Sequence, residues 1–90
     1  MRIVINKIKL TEETAVMTLV NLKKLQRARI KSLPLDLALS ARLMEQGFVP
    51  NTIIEMAHSA PFNGPVAFYL HGTKVSIQHS LAAQINVEPA

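Results

Sequence analysis

Cysteine is absent from this 90-residue chain, which excludes disulfide staples, thiolate metal sites and cysteine nucleophiles, and permits a reducing compartment. Tryptophan is missing too, and three Phe and one Tyr supply the whole aromatic share of 4%. Base-stacking platforms for a single-stranded nucleic acid are therefore scarce. With only three glycines, the phosphate-cradling loop of a nucleotide binder is absent as well. Asp36, Arg42 and His71 interrupt the apolar stretches, all far short of the roughly 18 residues of a membrane span. The opening "MRIVINKIKLTEE" lacks the continuous apolar core and small-residue cleavage site of a secretory signal. A cytoplasmic protein without membrane insertion is expected.

Hydrophobic residues, at 49% of the chain, must fill the interior as Ile, Val, Leu, Ala and Met. A chain this short supports one core and one domain, because two cores would bury too little apolar surface each. The net charge of +4 is unevenly spread. Residues 1–31 hold eight Lys or Arg against Glu12 and Glu13, whereas residues 32–90 hold two against four acids. An electrostatic partner should therefore meet the amino-terminal third.

Local patterns divide the chain into short elements. "TEETAVMTLVNLKK" carries helix signals, with Thr11 as cap, acids in the first turn and Lys23 and Lys24 at the carboxyl end. Its β-branched Thr14, Val16, Thr18 and Val20 oppose that reading. "QRARIKSL" alternates, Ala28 and Ile30 on one face and Arg27, Arg29 and Lys31 on the other, as a half-buried strand requires. "DLALSARLMEQG" switches to helical spacing from about Asp36, a candidate cap, to Gln46, with Leu39 and Leu43 on one stripe and Leu37, Ala41 and Met44 beside it. Gly47 suits the left-handed stop of that helix, Phe48 can pack back on Leu43, Pro50 prevents resumption, and Asn51 suits a turn with positive φ.

Beyond Thr52 the pattern is β. "TIIEMAHSA" reads as a strand, "PFNGP" with Gly64 and Pro65 as a loop, and "VAFYL" and "KVSIQ" as hairpin arms around His71, Gly72 and Thr73. Val66, Phe68 and Leu70 share one face, with Val75 and Ile77 on one face of the next arm. A helical turn near Ser80–Gln84 precedes a last strand, "INVE". Short strands with one helix in so small a chain suggest a partly closed barrel.

The stretch "ARLMEQGFVPNTIIEMAHSAPFNGPVAFYLHGTKVSIQHSLAAQINVE" resembles the ferrous iron transport protein A family, FeoA. Arg42, Leu43, Gly47, Pro50, Ala60, Pro61, Pro65, Gly72 and Ala82 fall in order on its pattern, and the likeness runs from about Met17 to Glu88. It implies a mainly β fold, a small SH3-like barrel of about five short strands, over residues 17–90. Residues 1–16 form an extension without counterpart, with Met17 a candidate original start. "MTLVNLKKL" becomes a short lead-in rather than a long helix. The family usually has glycine where Asn51 stands, and commonly a glycine near Leu25 and a basic residue near His79.

By resemblance the domain is a cytoplasmic accessory protein of bacterial ferrous iron uptake, docking at the inner membrane face on a membrane ferrous iron transporter with a cytoplasmic GTP-binding domain. A second copy of the chain is a further candidate partner. The alternatives are a relative of the carboxy-terminal domain of iron-dependent repressors, or a basic barrel binding nucleic acid. Arg27, Arg29 and Lys31 read first as a solvated strand face and, among partners, favour an acidic protein over nucleic acid. Phe62 is either a loop contact for a partner or a core residue, and Tyr69, pointing opposite Phe68 and expected to be partly exposed, is a further candidate partner contact. His58, His71 and His79 lack the spacing that presents two imidazoles to one ion, so no metal site and no cofactor is expected. Ser40, Ser59, Ser76 and Ser80 lack a glycine elbow or a placed base, so no enzyme is expected.

Overall fold

A computed structural model describes residues 17–90 of the protein. Residues 1–16, expected as an extension and including the start of the local helix signal at Thr11, lie outside the described residues. Within them the lead-in is β1 (Met17–Thr18) and a 3-10 turn (Leu19–Asn21). The helix signal fails there because β-branched Thr18 suits extended backbone, and because Met17 and Thr18 pair with Val87 and Asn86. The other strands are β2 (Arg27–Ser32), β3 (Ile53–Ser59), β4 (Val66–Leu70), β5 (Thr73–Ile77) and β6 (Asn86–Pro89). Helix α1 (Leu37–Glu45) joins β2 to β3, and a short α2 (His79–Ala82) joins β5 to β6.

These six strands form one antiparallel sheet in the order β1-β6-β2-β3-β4-β5. The count exceeds the expected five because β1, only two residues long, pairs with β6. The expected helical turn starts one residue earlier than Ser80, at His79. Irregularities in β2 between Ile30 and Ser32 and in β3 between Met56 and His58 add local bend and twist. The fold is SH3-like and mainly β, with one core.

Period-two alternation builds that core. Ala28, Ile30, Ile54, Met56, Phe68, Leu70 and Val87 are buried with Leu19, Leu43, Phe48 and Ile85. The helix contributes a narrower face than its spacing suggested. Leu43 and Ser40 are buried, Leu39 is half-buried, and Leu37, Ala41 and Met44 are exposed. Ser40 is accommodated because its hydroxyl donates to the Pro34 carbonyl, so burial leaves no unpaired polar atom there.

The segment after the helix is closed by local chemistry. Asp36 caps α1 by accepting from the backbone of Ala38 and Leu39 at 2.9 and 3.2 Å. At the other end Phe48 N–H donates to the Leu43 carbonyl at 2.9 Å and Gly47 N–H to Met44 at 3.0 Å. That is the Schellman arrangement, with Gly47 left-handed at φ 106°. Thr52 N–H then donates to Val49 at 3.1 Å, around a turn with Pro50 second and Asn51 third at φ 76°, the positions those residues favour in a type II turn.

A second turn of this kind is under strain. Gln26 N–H donates to the Lys23 carbonyl at 2.9 Å, and the third residue, Leu25, has φ 68°. A left-handed leucine costs roughly 1–2 kcal/mol, and this one is 61% exposed, so it recovers little by burial. Allowing for glycine's larger unfolded-state entropy, Leu25→Gly should stabilise the domain by roughly 0.5–1 kcal/mol and raise its Tm by several degrees. Thermal unfolding followed by circular dichroism measures this; an unchanged or lower Tm would contradict the strain.

Candidate partner-binding surface

The outward residues of the sheet form a candidate contact surface. Alternation along β2 sends Ala28 and Ile30 inward and leaves Arg27 and Lys31 exposed and Arg29 half-buried. Cross-strand register then fixes their neighbours. Arg27 lies opposite Glu55, Glu55 opposite Tyr69, and Tyr69 opposite Lys74. The result is a row across four strands in which a cation, an acid, a phenol and a cation follow one another.

The basic stripe is less free than its sequence suggests. Glu88 on β6 faces Arg29. Its carboxylate lies 3.4 Å from the Arg29 guanidinium and 3.8 Å from the Lys31 ammonium. All three side chains remain substantially exposed, between 42% and 57%, so water weakens the attraction. Glu88→Gln should cost less than about 1 kcal/mol of stability, and the loss should shrink further in high salt. Urea unfolding at low and high ionic strength measures both.

Arg27 and Tyr69 line a shallow depression on this face together with Asn51, Ile53, Glu55 and His71. Tyr69 is 42% exposed. His71 and Gly72 form the two-residue hairpin turn between β4 and β5, with φ 54° and 78°. Thr73 belongs to β5 rather than to the connection.

Phe62 stands apart from that depression. It occupies the β3–β4 loop and is 98% exposed. Gly64 N–H donates to the Pro61 carbonyl at 3.1 Å, and Ala60 N–H to Pro65 at 3.0 Å. Between them Phe62 and Asn63 both have φ 58°, the double left-handed conformation of a type I′ turn. Gly64 cannot carry a side chain, since a Cβ there would lie 2.8 Å from that of Ala60. The core alternative for Phe62 is excluded by its exposure.

The histidines do not converge. His58 is exposed on β3, His71 sits in the hairpin turn and His79 begins α2, half-buried. Among the described residues no three His, Asp or Glu side chains gather in a way that could hold a metal ion. No described helix is long and apolar enough to cross a membrane.

The family model described as "FeoA domain" matches residues 17–89. No curated protein matches the chain in sequence. Among solved structures it is similar to the FeoA protein of Chlorobium tepidum, at 27% identity and a TM-score of 0.75 over 81% of this chain and 70% of that one. It is also similar to a FeoA of Stenotrophomonas maltophilia complexed with zinc, at 26% identity and a TM-score of 0.69 over 80% of this chain and 89% of that one. That protein is described as a prokaryotic SH3 domain protein and a candidate ferrous iron transport activating factor. The manganese-activated repressor ScaR shares the fold alone, at 19% identity and a TM-score of 0.73, over 82% of this chain and 35% of the repressor.

Proposed function

The chain belongs to the FeoA domain family, and on that premise we propose that it is a small accessory protein of bacterial ferrous iron uptake that acts by binding other proteins. Its partner is the membrane iron transporter with a cytoplasmic GTP-binding domain, and it works on the cytoplasmic side, at the membrane only through that partner. The observation that carries this reading is the family match over nearly the whole described chain. Two surfaces support it physically: the outer row from Arg27 to Lys74 and the exposed Phe62. Both offer contact chemistry, and neither brings together a nucleophile, a base and an oxyanion site.

The mechanism is assembly or modulation of the transporter by contact. Arg27, Lys31 and Lys74 supply charge for orientation, whereas Tyr69 and Phe62 supply the large apolar area on which affinity depends. A nucleic-acid-binding reading is weaker, since Glu88 already faces Arg29 and Lys31. The repressor reading has only the shared fold behind it.

Capture from detergent-solubilised membranes tests the proposal. The immobilised domain should retain the GTP-binding transporter, and Arg27→Glu combined with Lys31→Glu should reduce the amount retained by about tenfold at low salt. Failure of the unaltered domain to retain the transporter would overturn the reading.

A further inference from the structure

Strand β3 outruns its neighbour. β2 pairs with β3 at Ile53, Ile54 and Glu55. The last backbone bonds between the segments run from Met56 N–H to Gln26 and from Leu25 N–H to Met56, at 2.9 and 2.8 Å. Beyond that point His58 and Ser59 pair with Ala67 and Val66 of β4. On their other side they have no sheet neighbour among the described residues. The reason is the left-handed Leu25, which turns the chain out of the line β2 would otherwise continue. An edge of this kind accepts a further strand by main-chain hydrogen bonds.

The surroundings of that edge share one charge character. The adjoining segments, residues 17–26, 56–66 and 78–85, contain no acidic residue. Lys23 and Lys24 are exposed on them, with His58 and His79 as additional donors. The described carboxylates lie elsewhere: Asp36 and Glu45 at the ends of α1, and Glu55 and Glu88 in the outer face beside the arginines. A groove lined by Leu22, Lys24, Met56, His58 and Ser59 meets another lined by Met56, Ser59, Phe62 and His79. The second is also lined by Asn63, next to Phe62 in the left-handed turn that leaves Phe62 exposed.

We propose that this groove binds an extended acidic segment of a partner protein, which adds as a strand to the free edge of β3 at His58–Ser59 and rests an apolar side chain against Phe62. Charge complementarity selects the occupant. A basic segment would meet Lys23 and Lys24 with no compensating carboxylate in the adjoining described segments. A nucleic acid would find one exposed aromatic ring and no succession of stacking platforms. The inference rests on the reading of the domain as a protein-binding module, and it names the chemistry of one contact.

The test uses a capped, fluorescein-labelled peptide of alternating acidic and β-branched residues, Glu-Val-Asp-Ile repeated once, with the full chain. Fluorescence anisotropy should show saturable binding at least about tenfold tighter than that of the same peptide with Lys in place of every acid. Methylating the peptide's backbone nitrogens, or introducing Lys24→Glu in the domain, should each weaken binding by about tenfold or more. Amide resonances of His58 and Ser59 should shift on titration, with those of Arg27 and Tyr69 unmoved. Absence of saturable binding, equal binding of the lysine peptide or of a single-stranded oligonucleotide of equal charge, or shifts confined to the outer face would overturn the proposal. Transporter capture separates the two readings. If the domain retains the transporter but not the peptide, the groove proposal falls alone; if it binds the peptide at His58–Ser59 but not the transporter, the transporter proposal falls alone.

Discussion

Replacing Phe48 by alanine is expected to cost about 3–5 kcal/mol, the usual range for emptying a fully buried phenylalanine site. The side chain is wholly buried, and its backbone N–H closes the end of α1 on the Leu43 carbonyl. The lost ring empties the core site while the backbone bond that closes the helix is retained, so the cost is that of lost packing. Native domains hold only about 5–15 kcal/mol in total, and a domain this small lies toward the lower end. Urea unfolding should show a markedly lower midpoint, or a protein already partly unfolded without denaturant. Phe48→Leu, which retains most of the apolar volume, should lose much less. Equal losses for the two variants would mean that the ring's volume is not what secures the helix to the sheet.

That segment was legible because its causes are local. Gly47, Phe48, Pro50 and Asn51 each have a side-chain reason for the backbone they adopt, and the observed φ values of 106° and 76° fall where glycine and asparagine were expected to supply them. The alternation of β2 was legible for the same reason: three exposed or half-buried cations and two buried apolar residues leave one register with a dry face.

Long-range placement was not legible. Glu88 is 59 residues from Arg29 in sequence, and only the pairing of β6 with β2 reveals that it meets the cations. The same holds for the free edge of β3, which depends on where β2 begins. That start depends on Leu25, whose side chain gives no sign of a left-handed turn; the family's glycine near this position is the one signal that pointed to it. The backbone conformation persists with leucine because the Lys23–Gln26 turn and the bond from Leu25 to Met56 hold it. "PFNGP" announced a loop, but its breakers did not show that Phe62 itself would carry a positive φ.

Phe62→Asn should move stability and binding in opposite directions. Of the three phenylalanines, Phe48 and Phe68 are fully buried while Phe62 is 98% exposed, so its removal forfeits almost no burial. Its backbone is left-handed, where a bulky residue is strained and asparagine is among the preferred residues of a type I′ turn. The variant should therefore gain about 1 kcal/mol of stability, read as a higher urea midpoint. Exposed aromatic rings that seat in a partner commonly contribute about 2 kcal/mol or more. Binding of the acidic peptide, and retention of the transporter, should accordingly fall by at least about tenfold. Phe62→Tyr should keep both the strain and the binding. A gain in stability with undiminished binding of both would remove Phe62 from the interface and leave its exposure without a role in contact. A loss of stability would instead show that the ring supports the loop, against the geometry of the Pro61–Gly64 turn.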